Sequence, residues 1–566
     1  MPHMPHSTQS RHADLVVVNG KIATLDTNDQ IVSALAVSDG RILAVGADDE
    51  IEHFCGPRTR RIDAAQRLVV PGLIDGHAHM DREGLKERLP SLAGCTSIDE
   101  ILQRIEALVQ EAPTGTWVVT MPIGEPPFYE GVPGTLMEGR FPTRRDLDRV
   151  SPEHPVYIRP IWGHWRNSLP LVSVANTRAL ALAGITQDSI SPAPSILIDR
   201  ETESGEPSGI FYEFTYKPLV EKTLMSMIPR FTFDDRVAGL RRSMEIYNST
   251  GTTSVFEGHG VAGEVMAAYQ ALYCEGPLPV RSSLMFSPAW PSTDSAAVKD
   301  LLLDWGRWLS KRGLGDSHLR MAGLYTESDY SEENRLRALC GPYTGWAGFN
   351  FDSALPEDVM VEMMVEAARA GIRVGSFSPN LLSIYERVNA QSSIIDQRWI
   401  IEHIGIISRE EVARIRDLGL VLQAYTNKYI WQDGEQLRAE LGEDGAERIV
   451  PMRDLLDAGV HVSLATDNVP PTLFVPIWHV VARQTEGSGH VLGQGQALSR
   501  HEALACASRE GAWLSFEEDF KGTLEPSKAA DLAILSEDLL TIDEKRIPEI
   551  TADLTVTDGR IVFERS

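Results

Sequence analysis

The chain has 566 residues, 43% of them hydrophobic and 23% charged, which is enough to bury a large core. Eighty acidic residues against 53 basic ones leave a formal charge of −27, a field that repels nucleic-acid backbones and anionic lipid heads. The five cysteines (Cys55, Cys95, Cys274, Cys340, Cys506) are scattered, odd in number and form no CxxC pair, which fits a reduced compartment better than a disulfide framework.

The opening MPHMPHSTQSRHADLVVVNG lacks the basic start and apolar stretch of a signal peptide, and no uncharged apolar run reaches the ~18 residues that span a bilayer. The expectation is a disordered N-terminal tail on a soluble, cytoplasmic protein with no membrane partner. From Ala13 to Val70, short apolar runs punctuated by Gly and Asp (DLVVVNG, IVSALAVSDG, RILAVG, RLVVPG) predict antiparallel strands. DLAILSED and LTVTDGRIVFE repeat the style at the other end, after a helical stretch near His501–Ser515. The two termini, 1–70 and 520–566, are therefore expected to build one β-sandwich.

Between them run eight apolar strand candidates: 73–79, 253–258, 280–286, 319–327, 371–377, 399–405, 420–425 and 460–467. Helix-like patterns such as that around Glu357–Ala370 interleave with them. This alternation predicts an α/β fold, a (β/α)₈ barrel over 71–519. The stretch at about 90–250 exceeds one βα unit and is expected to be an insertion at the barrel mouth, with strands of its own in WVVTMP and PVYIRP.

PGLIDGHAH carries the strongest chemical signal. Residues i and i+2 of a strand share a face, so His77 and His79 can point two imidazoles the same way at the C-terminal end of a barrel strand. Such imidazoles suit divalent transition metals. Alone, HxH also reads as packed or solvated histidines. Glu257 and His259 in SVFEGHG, expected at the end of the second strand, are candidates for extra ligands, acid/base groups or substrate contacts. Trp162, His164, Trp165 and Asn167 form a cluster able to stack a planar ligand, although aromatics more often belong to cores. Arg82, Glu83 and Lys86 follow HAHMD directly; Arg82 could bind a substrate carboxylate or carbonyl, and a solvated helix face is the alternative. EGSGHVLGQGQ reads as a flexible loop able to approach the site. No phosphate loop and no GxSxG elbow is present.

Taken together, PGLIDGHAH, PVYIRPIWGHWRNSLPLVSVANTRALALAGI, RWIIEHIG, VSLATDNVP and GTLEPSKAADLAIL resemble the amidohydrolase superfamily, in particular its YtcJ-like or amidohydrolase 3 group. The resemblance implies a metal-dependent barrel hydrolase, with His77 and His79 as first-strand ligands, His403 as the sixth-strand histidine and Asp467 as the eighth-strand aspartate. It also implies that the His164 region lines the substrate pocket. Two departures stand out: the fourth-strand lysine that bridges two metals in this group is matched by Leu324, and the fifth-strand histidine by Phe377 or a neighbouring serine.

The expectation is thus one divalent ion, zinc first and manganese or iron next, held by His77, His79, His403 and Asp467. Asp467 would take a proton from metal-activated water, and His403 would help stabilise the oxyanion. The expected reaction is cleavage of a C–N bond in a small, planar or aromatic amide, cyclic amide or N-acyl compound. Deamination or decarboxylation on the same scaffold, or a metal-free binding protein, are the alternatives. A homodimer is the candidate assembly.

Overall fold

Strands drawn from all eight expected segments hydrogen-bond side by side in one parallel sheet that curls into a nearly closed barrel. In this computed structural model, which describes residues 12–161, 169–216, 219–290, 292–328, 331–339, 353–378 and 380–565, they are β1 (Leu73–Ala78), β2 (Thr252–Val261), β3 (Arg281–Phe286), β4 (Leu319–Tyr325), β5 (Val374–Ser376), β6 (Ile400–Ile401), β7 (Val421–Tyr425) and β8 (Val462–Ala465). Pairing runs in chain order from β1 to β8. At the seam, the Asp467 N–H donates to the His77 carbonyl at 2.9 Å. Gly76 permits this approach, because a Cβ there would lie 2.4 Å from Ser463 Oγ and 2.9 Å from the Leu464 carbonyl oxygen.

Alternation along each strand sorts the side chains into two layers. Val255, Leu284, Leu324, Val374, Leu422 and Leu464 pack outward with helix residues such as Met360, Met363 and Met364. Phe256, Met285, Tyr325, Ile400 and Val421 meet in a separate cluster inside the barrel. The helix Glu357–Arg369 shows why the outer layer forms: seven of its residues are buried on an apolar face, and Glu357 and Asp358 complement the positive end of its dipole.

Two further sheets pack together, one built from N-terminal strands alone and one that joins both chain ends. One contains four strands (Leu15–Val18, Ala34–Ser38, Arg41–Gly46, Arg60–Asp63) and the other six, with Leu532–Leu535, Ala552–Thr557 and Arg560–Glu564 beside Leu68–Pro71, Lys21–Ala23 and Ile31–Val32. Leu15, Val17, Val37, Val69, Ile534 and Val556 form their common core. The buried Arg281 of β3 ties this layer to the barrel through Asp531, at 2.7 Å. Between β1 and β2, a five-stranded sheet runs in the order Ile196–Arg200, Pro207–Glu213, Leu171–Ala175, Val156–Ile158, Val118–Thr120. Helix Ile98–Glu111, capped by Ser97, packs against it. Among the described residues, no helix is long and apolar enough to cross a membrane.

Candidate active site

The C-terminal ends of β1, β2 and β8, with the residues that follow β6, bring five titratable side chains together. His77, His79, His259, His403 and Asp467 are gathered into overlapping trios of donors lying within 4.8 Å of one another: His77 with His259 and His403, and His77 with His79 and Asp467. Asp467 Oδ1 is 2.7 Å from His79 Nε2 and 4.0 Å from His77 Nε2. The Nε2 atoms of His77 and His403 are 3.2 Å apart. His403 (φ 56°), Asp467 (φ 52°) and Asn468 (φ 64°) all occupy the left-handed backbone region. Non-glycine residues persist there only where their surroundings over-determine the conformation, and they cluster at functional sites.

Each first-strand histidine is held from behind. His77 Nδ1 donates to Gln423 Oε1 on β7 at 2.7 Å, so Nε2 presents its lone pair to the centre. Burial pushes its pKa below the usual histidine value, which keeps the ring neutral. Asp75 spans the seam by accepting from the Thr466 amide at 3.1 Å, the Thr466 hydroxyl and the His77 amide at 3.2 Å. Burial raises its carboxyl to about 7. Asn468 clamps the His79 backbone, accepting from the His79 amide at 3.1 Å and donating to its carbonyl at 2.7 Å, while Tyr247 donates to Asn468 Oδ1 at 2.6 Å.

The second strand runs on to Val261, past the expected end at Gly258, with a break in its register against β3 between Glu257 and Val261. Glu257 and His259 therefore face different surroundings. Glu257 accepts from the Tyr269 hydroxyl at 2.5 Å and the Asp81 amide at 3.3 Å, and forms a third donor trio with His79 and Asp81. Burial first, and then the Asp81 charge, push its carboxyl well up. His259 joins the histidines, with ring centroids 4.7 Å from His77 and 4.9 Å from His403. Behind it, Glu402 Oε2 lies 3.4 Å from His259 Nε2.

Three expectations change. Leu324 packs among the outer core, and the inward β4 side chain is its neighbour Tyr325, whose ring centroid lies 5.4 Å from His259; the pleat puts these two residues on opposite faces. Arg82 and Glu83 are buried rather than on a solvated helix face, and Arg82 Nε lies 3.6 Å from Asp81 Oδ1. The glycine-rich loop is pinned, since Ser488 and Thr485 hydrogen-bond to Glu435. Phe377, following β5, is 42% exposed, with its ring centroid 5.3 Å from that of His403. Trp162, His164, Trp165 and Asn167 lie outside the described residues.

Gln423, Glu402, Asp75 and Asn468 were not singled out in the sequence. The signal for Gln423 was a lone polar residue inside the apolar strand LVLQAY, and for Glu402 a carboxylate directly after the apolar run WII and before His403.

The model of the amidohydrolase family matches residues 60–563. An N-substituted formamide deformylase of Arthrobacter pascens is 26% identical over 581 residues, covering 99% of each chain. YtcJ of Bacillus subtilis is 22% identical over 557 residues, covering 97% of this chain and 99% of its own. The crystal structure of an uncharacterized metal-dependent hydrolase from Pyrococcus horikoshii superposes with a TM-score of 0.66 at 22% identity, covering 94% of this chain and 99% of the other.

Proposed function

For a chain that belongs to the amidohydrolase family, we propose hydrolysis of a C–N bond in a small N-acyl compound, an N-substituted formamide being the first class to test. The observation that carries this reading is the convergence of His77, His79, His403 and Asp467 at the C-terminal ends of their barrel strands, where barrel enzymes keep their chemistry. The formamide class is the one named for the Arthrobacter pascens relative.

The donor set fits a divalent cation: imidazoles, with His77 held neutral by burial, and one carboxylate, all buried. His77, His79, His403 and Asp467 would hold the ion, and imidazole-rich donors favour zinc, with manganese or iron next. Such an ion lowers the pKa of a water towards ~7 and polarises a carbonyl. Asp467 takes a proton from the attacking water and returns it to the departing nitrogen. His403 is assigned the charge that develops on the carbonyl oxygen. Phe377, exposed beside His403, offers an apolar face to a planar substrate.

The test uses protein purified without chelator and assayed by chromatography against N-substituted formamides, N-acyl amines and cyclic amides. An amine plus a carboxylic acid, or a ring-opened amino acid, is the expected product set. Ammonia or carbon dioxide without them would place the reaction elsewhere. A metal-free protein that gains no activity with zinc, manganese or iron would end the hydrolase reading.

A further inference from the structure

We propose that His259, on β2, is itself a ligand of the divalent cation, in the role of the histidine that β5 lacks, and that Glu402 is the carboxylate that positions its ring. This deepens the hydrolase reading above and rests on it.

The geometry supplies the first support. One ring nitrogen from each of His77, His259 and His403 falls in a set within 4.8 Å, and all three side chains belong to the barrel mouth. Among the described residues, the donor trios include none from β5: the strand is Val374–Ser376, and the residue that follows, Phe377, places its ring centroid 6.2 Å from that of His259. An aromatic ring thus stands where a donor would complete the set, and β2 contributes the third imidazole instead. The β2 backbone is also pressed against His77: at Gly258 a Cβ would lie 2.0 Å from His77 Nδ1. The contact sets His259, the next residue, beside the His77 ring.

Glu402 gives independent support. It is 1% exposed, and neither carboxylate oxygen accepts a hydrogen bond. Burying a carboxylate in this way is costly unless positive charge stands close. Among the described residues, the basic side chain within ion-pair reach is His259, at 3.4 Å. Metal sites commonly fix a ligand histidine by a ring N–H donated to a carboxylate behind it, which also raises the ring's basicity; the 3.4 Å approach of Glu402 Oε2 to His259 Nε2 would close into that bond with the ion bound.

The test is Co2+ binding to chelator-stripped, full-length protein, followed by the visible absorption of the ion and by competition with a chromophoric chelator. Wild type is compared with His259→Ala, His259→Gln and Glu402→Gln, and melting curves of the metal-free forms establish that each folds. Wild type is expected to bind Co2+ with a defined visible band. Both His259 variants should bind at least about 10-fold more weakly with an altered band, and Glu402→Gln about 10- to 100-fold more weakly. Wild-type affinity and band shape in both His259 variants would overturn the ligand assignment while leaving the hydrolase reading standing. Wild-type behaviour of Glu402→Gln alone would remove its positioning role. Failure of the wild type itself to take up Co2+ would remove the hydrolase reading.

Discussion

Gly258→Ala probes whether the site depends on a close packing contact. Gly258 lies outside the left-handed region, so its backbone accepts alanine and the substitution acts through space. The new Cβ would meet the His77 ring at 2.0 Å from Nδ1, 2.4 Å from Cε1 and 2.6 Å from Cγ, where ordinary contact begins at 3.4 Å. The ring must therefore retreat by 3.4 − 2.0, about 1.4 Å. A shift of that size breaks the 2.7 Å bond to Gln423 or carries Nε2 out of its 3.2 Å register with His403. Overpacking of this kind costs about 1–3 kcal/mol of stability, and misplacing a reacting group by about 1 Å costs roughly 100-fold in rate. Urea unfolding of the metal-free protein reads the first quantity, and Zn2+ affinity with kcat/KM on the best formamide reads the second. A Gly258→Ala variant with wild-type stability, affinity and turnover would refute the reasoning.

Asp467→Asn should lower kcat by about 10²- to 10⁴-fold with an unchanged circular dichroism spectrum, and wild-type turnover would remove Asp467 from its assigned role. Gln423→Ala frees the His77 Nδ1 proton from its acceptor, and metal affinity measured by competition should fall about 10- to 100-fold. His479 is fully buried, with Nδ1 3.0 Å from Thr426 Oγ1, and burial pushes its pKa from 6.5 down to about 3. Because the unfolded chain then takes up the proton first, this stabilisation is whole above pH 6.5. It is lost as pH falls towards 3, at up to about 1.4 kcal/mol per unit. Urea unfolding across that range should show wild type losing stability relative to His479→Gln as the pH drops, and a constant difference would contradict it.

Much of the fold was legible because strand and helix periods are local properties. Runs such as LVLQAY and VHVSLATD can bury themselves only as barrel strands between helices, and HxH with the later His403 and Asp467 motifs located most of the donor set. The phase of the pleat was harder to read. Leu324 and Tyr325 are adjacent, both apolar in character, and only the register of β4 against β3 and β5 decides which faces inward. The same holds for Glu257 and His259, which a simple alternation would put on one face and the register break separates.

The sequence by itself determined the barrel, the acidic character that repels polyanions and the paired first-strand histidines, since these follow from composition, period and spacing along the chain, while the eighth-strand Asp467 followed from the resemblance of VSLATDNVP to the family. Tertiary structure alone decided that His259 stands beside the His77 and His403 rings while Glu257 turns to Tyr269, that Gln423 and Glu402 stand behind two of the histidines, and that Arg82 is buried. Those contacts join residues far apart in the chain, His77 to Gln423 and His79 to Asn468, across the closure of the sheet. Closure depends on how eight strands stagger and on glycines thin enough to let them meet, which only the assembled barrel contains.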